Sequence, residues 1–197
     1  MCDHRIGFFT RLQQLMFAVA VVLTCWLGMM AVHELGHMIG AILTGGKITC
    51  VVLHPLSISR TDVFPNPNPV VVVWSGPVLG CLIPIMLMLV TKSAGLLQRS
   101  LSEFFAGTCL IANGAYLLFG SFDQVGDCKQ MLQTGSPLWL LIAFGVITIP
   151  AGFALWHKAG SIESYWRYPS RVTGIPTFVA LLVLVSITLG LITVSGS

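Results

Sequence analysis

The chain has 197 residues, of which 55% are hydrophobic and 9% charged, and its formal net charge is +3. Globular domains carry about 25% charged residues to cover a watery surface, so this composition, with a mean hydropathy of +0.89, excludes a soluble domain and turns apolar surface toward lipid. The cations are spread over loops with no basic stripe among aromatics, which excludes nucleic acid as an expected partner.

The N-terminus opens like a signal peptide, with Arg5 and Arg11 ahead of an apolar run over 15–31. A cleavable apolar region is about 7–15 residues long, whereas this one continues to residue 43, so it is expected to remain as a span. Four further runs, 70–90, 104–122, 138–156 and 175–194, match the roughly 20 helical residues that cross a hydrocarbon core of about 30 Å. The first, 12–44, is too long for a simple crossing. At about 1.5 Å per residue it reaches close to 50 Å and must tilt, project or begin later than Leu12.

Gly45-Gly46 ends that first helix. The β-branched, partly alternating stretch 47–63 predicts two short strands, a hairpin at the membrane edge. Pro65-Asn66-Pro67-Asn68-Pro69 then makes a stiff, non-helical connector. The expected fold is an all-α polytopic membrane protein, with about five transmembrane helices and a small β-hairpin between the first two, forming one membrane domain over 1–197.

Arg5, Arg11, Lys92, Arg99, Lys158, Arg167 and Arg171 flank one side of these spans, and Lys47, Arg60 and Lys129 the other. The positive-inside rule then predicts a multi-pass protein with a cytoplasmic N-terminus. The cysteines, Cys2, Cys25, Cys50, Cys81, Cys109 and Cys128, form no Cys-x-x-Cys pair and read as small buried hydrophobes. Only Cys50 and Cys128 fall where a shared side of the membrane would permit a bridge. Trp156, Tyr165, Trp166 and Tyr168 read as an interfacial aromatic belt.

His33-Glu34-Leu35-Gly36-His37 stands inside the first apolar run. Residues four apart share a helix face, so His33 and His37 can aim two imidazole nitrogens at one ion, at about 2.0–2.1 Å for zinc. Glu34 is rotated about 100° from His33 and borders the ion without binding it. That is the place for a general base, beside a water that the metal acidifies. Two His and one Glu are costly in lipid, so function is the default reading of such residues. A polar cluster that merely pins helices together is the bland alternative, and unpaired burial of these groups counts against it.

A catalytic zinc takes a third protein ligand. The spare candidates are His4, His54, His157, the cysteines, Asp62, Asp123, Asp127, Glu103 and Glu163. Counting spans returns the end of the third helix to the side of the motif, which favours Asp127 and Asp123. Glu103, His157 and Glu163 fall on the opposite side, and His54 and Asp62 lie in the hairpin. Asn113 in the third span is a candidate for hydrogen-bonding a substrate backbone, with packing against an adjacent helix as the simpler use. Gly36 and Gly40 permit close helix approach beside the motif.

The motif on a membrane helix, a short β element after it, Ser75-Gly76-Pro77 opening the next span and an aspartate after a third span together resemble the site-2 protease family of intramembrane zinc metalloproteases. The likeness covers residues 12–135, which it implies are a three-helix metalloprotease core, with two additional transmembrane helices over 136–197. It implies Zn2+ as cofactor and Asp127, in Asp127-Cys128-Lys129-Gln130-Met131-Leu132, as third ligand, with Asp123 as the alternative. The chain departs from the family pattern in three places: Cys128 stands where Gly is usual, Gly80 replaces the Asn of Gly-Pro-x-x-Asn, and no Asn-x-x-Pro precedes the aspartates.

The expected activity is hydrolysis of peptide bonds in membrane-anchored proteins, with Glu34 as base. The expected partners are a membrane protein substrate and the bilayer, with a second copy of the chain as a further candidate. An inactive membrane scaffold or metal-binding protein is the alternative, although metal storage needs no base beside two ligands. A transporter is disfavoured by five spans without an inverted repeat.

Overall fold

The computed structural model of the chain describes residues 7–54, 59–159 and 168–195. Cys2, His4, Arg5, Pro55, Glu163, Tyr165, Trp166 and Arg167, which entered the sequence reading, lie outside them. The elements in order are α1 (Phe8–Leu43), β1 (Ile48–Val52), β2 (Arg60–Val63), α2 (Pro69–Val90), α3 (Leu96–Asp123), α4 (Gly126–Gln133), α5 (Leu138–Lys158) and α6 (Ile175–Ser195). Five of these helices, all but α4, are long and apolar enough to cross a membrane, as a multi-pass membrane protein requires.

Helix α1 runs unbroken for 36 residues, about 54 Å, so the long first run begins at Phe8 rather than after Leu12. It stops where Gly45 takes a positive φ of 74°. Gly45 N–H then reaches the Ile42 carbonyl at 3.2 Å and Gly46 N–H the Ala41 carbonyl at 2.8 Å, the paired bonds that close a helix on glycine. Helix α2 starts where the connector dictates: Pro69 takes the first turn and the Asn68 side chain accepts from Val71 N–H.

Two further differences from the sequence expectation, the earlier start of α3 and the added helix α4, come from polar residues that hydropathy discounts. Helix α3 begins at Leu96 rather than at 104, because its polar first turns are internally satisfied: Arg99 Nε donates to Glu103 at 3.1 Å, and Thr91 donates to Ser102 at 2.7 Å. Its end is marked by Gln124 at φ 49°, and after Val125 the short helix α4, polar enough to read as a loop, turns back toward the bundle.

The hairpin forms as expected. Its strands pair antiparallel with Val51 opposite Thr61 and Val52 opposite Arg60. Backbone bonds from Phe64 N–H to Lys47 O at 2.8 Å and from Lys47 N–H to Pro65 O at 3.1 Å close its base. It folds back along α1, so that Leu53 joins Leu27 and α6 Leu191 in one buried cluster with Val51 and Ala31 against it.

Helices α3 and α5 share the largest interface. Gly107 and Gly114 there face Gly152 and Gly145, and a Cβ on Gly152 would lie 2.7 Å from the Gly107 carbonyl, so the two backbones touch. Trp156 joins this interface, where its ring stacks on Phe104 at 5.1 Å and its N–H donates to the Phe104 carbonyl. Tyr168 is exposed under the Arg171 guanidinium. Cys25, Cys81, Cys109 and Cys128 are buried, as expected of small hydrophobes, and Cys50 is exposed. Cys50 and Cys128 are both free thiols.

Candidate metal centre

Helical spacing brings His33 and His37 to one face of α1, and both are buried. Their Nε2 atoms lie 3.1 Å apart. Helix α4 delivers Asp127, whose Oδ2 lies 3.0 Å from His33 Nε2 and 3.2 Å from His37 Nε2. Among the described residues these three are the group of His, Cys, Asp and Glu whose ligand atoms converge. Asp123, the alternative third ligand, is exposed at the end of α3. Glu103 is engaged with Arg99 on α3.

The backs of both imidazoles decide their protonation. His37 Nδ1 lies 2.8 Å from the Val72 carbonyl, which can only accept, so that nitrogen carries the proton. His33 Nδ1 lies 2.6 Å from Asn113 Oδ1. The Asn113 amide nitrogen donates to the Cys109 carbonyl at 2.9 Å, which fixes the carboxamide orientation and puts the second proton on His33 Nδ1. With Nδ1 protonated on each ring, Nε2 is the nitrogen left to hold an ion beside Asp127 Oδ2.

Three converging donor atoms can hold a cation. A proton satisfies one pair of these atoms, whereas a metal ion satisfies all three. Four ligands at about 2.0–2.1 Å around zinc would stand about 3.3 Å from one another, close to the edges observed. The residues present fit such an ion. The Cys128 thiol donates instead to the Tyr116 carbonyl at 3.4 Å and is not part of the convergent group.

Small residues make room for this arrangement. A Cβ on Gly76 would run into the His37 ring, and one on Gly36 into the Ser75 carbonyl, so α1 and α2 meet backbone to backbone beside the imidazoles. A Cβ on Gly80 would stand 3.0 Å from the Asn113 amide nitrogen. Gly80 is thus the space that the Asn113 carboxamide occupies. Asn113, buried to 1% exposure, spends its side chain on His33 and Cys109, behind the site.

Glu34 is 2% exposed, and its Oε2 accepts from Thr61 Oγ1 at 2.7 Å. Tyr116, one turn beyond Asn113, accepts the Asp127 backbone N–H at 2.8 Å and turns its ring edge to His33. Sequence reasoning missed both Thr61 and Tyr116. Tyr116 carried a usable signal, a hydroxyl-bearing ring at i+3 from an intramembrane Asn. Thr61 carried none beyond its position in the hairpin.

His33, Glu34, His37, Asn113, Tyr116 and Asp127 border one cavity of about 1140 Å³. Its lining combines residues 59–63 of the hairpin, Thr49 and Gln130 with the apolar Trp26, Met29, Met30, Ala112 and Ala115. No protein-family model, curated protein or solved structure matches the chain. The reading of its function therefore rests on this geometry.

Proposed function

We propose that the chain is an intramembrane zinc metalloprotease that resembles site-2 proteases and hydrolyses peptide bonds of membrane-anchored proteins. The observation that carries the reading is the pair of tautomers. Asn113 and Val72 hold both imidazoles with bare Nε2 atoms toward Asp127, and the carboxylate Glu34 adjoins the same cavity. Two imidazoles and a carboxylate are a ligand set of catalytic zinc. When bound there, zinc would supply Lewis-acid polarisation and water of lowered pKa.

The chain's own residues supply the rest. His33, His37 and Asp127 hold the ion. Glu34 takes a proton from the attacking water and returns it to the leaving amine. The cavity keeps this chemistry wet inside a helix bundle, where lipid supplies no water. β2 lines that cavity and pairs only with β1 among the described residues, so its other edge is available to an extended substrate segment. Val63→Pro, which removes a backbone donor from the edge of β2 that faces away from β1, is expected to impair cleavage, and unchanged cleavage would refute strand addition.

The loop charges argue for a cytoplasmic N-terminus, which places the metal centre toward the opposite side. A reporter fused at the C-terminus reads this orientation directly, and a cytoplasmic signal there supports the alternative orientation. The function is tested by metal analysis of the purified chain together with cleavage of a membrane-anchored test protein. Glu34→Gln is expected to abolish cleavage with zinc retained. Full activity in Glu34→Gln would sink the mechanism, and a wild-type chain that holds zinc without any cleavage would favour a metal-binding scaffold.

A further inference from the structure

Glu34 is buried to 2% exposure, and its carboxylate is held by a residue of another element, the β2 hydroxyl of Thr61 at 2.7 Å from Oε2. Such a donor holds a buried carboxylate in one rotamer. The donor engages Oε2 and leaves Oε1 for proton transfer. Thr61 is also well suited to aim. A β-branched side chain is stiff about χ1, so the strand backbone fixes the direction of the hydroxyl.

That backbone is pinned at both ends. At the base, Lys47 bonds Phe64 and Pro65, and Val63 packs against Gly46 so closely that a Cβ there would stand 2.9 Å from the valine methyl. Toward the tip, Leu53 is buried with Leu27 and Leu191. Thr61 lies directly opposite Val51, whose side chain packs on the same cluster. The hairpin folds back along α1 to the depth that places the Thr61 hydroxyl on the base.

We infer that Thr61 is a positioning residue for Glu34, and that the hairpin sets the geometry of the base as well as lining the cavity. The inference rests on the hydrolase reading above. Because residues 59–63 also line the space a substrate would fill, the strand that receives substrate and the strand that orients the base are the same. Any displacement of β2 by an occupant moves the hydroxyl on Glu34.

The test uses the full chain in detergent micelles, with zinc alone and then acetohydroxamate as probes. A hydroxamic acid binds zinc through two oxygens and gives up its proton to a neighbouring base, so its affinity reports that base without requiring a substrate. Thr61→Val is expected to weaken acetohydroxamate binding about 10- to 100-fold, the loss of one hydrogen bond to a charged group. Zinc per chain should stay unchanged, and Thr61→Ser, which keeps the hydroxyl, should return affinity to within about threefold.

Wild-type affinity in Thr61→Val overturns the role. So does loss of zinc or of folded protein in both Thr61→Val and Thr61→Ser, which would mark a structural residue only. Glu34→Gln keeps the two failures apart. If it binds acetohydroxamate as tightly as wild type, or if the wild type holds no zinc, the hydrolase reading falls and this inference with it. If Glu34→Gln binds weakly while Thr61→Val does not, only the role of Thr61 falls.

Discussion

The two halves of α1 share one helix, and similar stretches of apolar sequence lead into each. The first half, from Phe8 to Leu23, exposes Phe8, Phe9, Leu12, Leu15, Met16, Val19, Val22 and Leu23, as lipid-facing surface does. The second half, from Met30 to Ala41, buries His33, Glu34, Gly36, His37, Gly40 and Ala41. What separates them is the neighbourhood. α2, α3, α4 and the hairpin close around the second half and give each polar group a partner, while the first half is covered mainly by α6. A membrane helix tolerates ionisable groups where protein or a wet cavity surrounds them, and apolar character alone suffices elsewhere.

The largest break in that comparison comes from removing a ligand. His33→Ala, His37→Ala and Asp127→Ala are each expected to lower zinc affinity by about a thousandfold or more, since each deletes one of three convergent donors. Competition against a chelator of known affinity measures this. Asp123→Ala, at an exposed position, should bind zinc as wild type does. A swap of these outcomes would reassign the third ligand.

The next effect is steric and acts through packing. Gly76→Ala puts a methyl group where the His37 ring stands, and Gly36→Ala puts one into the Ser75 carbonyl. Overpacking of this kind costs about 1–3 kcal/mol. Gly76→Ala should therefore lower both the melting temperature and the zinc content, because the ring that must move is a ligand. Gly36→Ala should lower the melting temperature first. Zinc retained at wild-type affinity in Gly76→Ala would show that the ring has room the structure does not display.

These contrasts also explain what was legible in the sequence. His33, Glu34 and His37 were legible because a helix repeats every 3.6 residues, so spacing alone puts two imidazoles on one face. The five spans were legible because lipid selects composition directly. Chain order offers Asp127 and Asp123 and the family resemblance prefers Asp127, but its convergence with the imidazoles comes from α4, whose eight residues are too polar to register as a membrane element. Thr61 lies 27 positions from Glu34, and their bond exists only because the hairpin folds back along α1. Local pattern predicted the strands correctly and could not predict that fold-back, which depends on the long-range contact of Leu53 with Leu191.

A smaller effect sharpens the comparison from behind the metal centre. Asn113 touches neither the cavity's hairpin wall nor Asp127 through any hydrogen bond described, yet it fixes which nitrogen of His33 is bare. Partners of this kind contribute about 10- to 100-fold to metal affinity. Asn113→Leu should lose that much, whereas Asn113→Asp, whose carboxylate still accepts from Nδ1, should retain more. Zinc affinity equal in all three proteins would mean that the tautomer is set elsewhere.

The least effect belongs to the first half of α1. Val22 is 55% exposed and faces no polar partner, so Val22→Ala removes two methyl groups from a lipid-facing surface and leaves no cavity. Substitutions away from packed or hydrogen-bonded features change stability by within about 0.5 kcal/mol. The melting temperature and zinc content of Val22→Ala should then match wild type within error. A loss of more than about 1 kcal/mol would place a protein surface against this face, and a second copy of the chain is the partner that cross-linking at Val22 would then detect. Equal stability leaves lipid as the neighbour, and with it the division of α1 into a half that lipid selects and a half that the bundle selects.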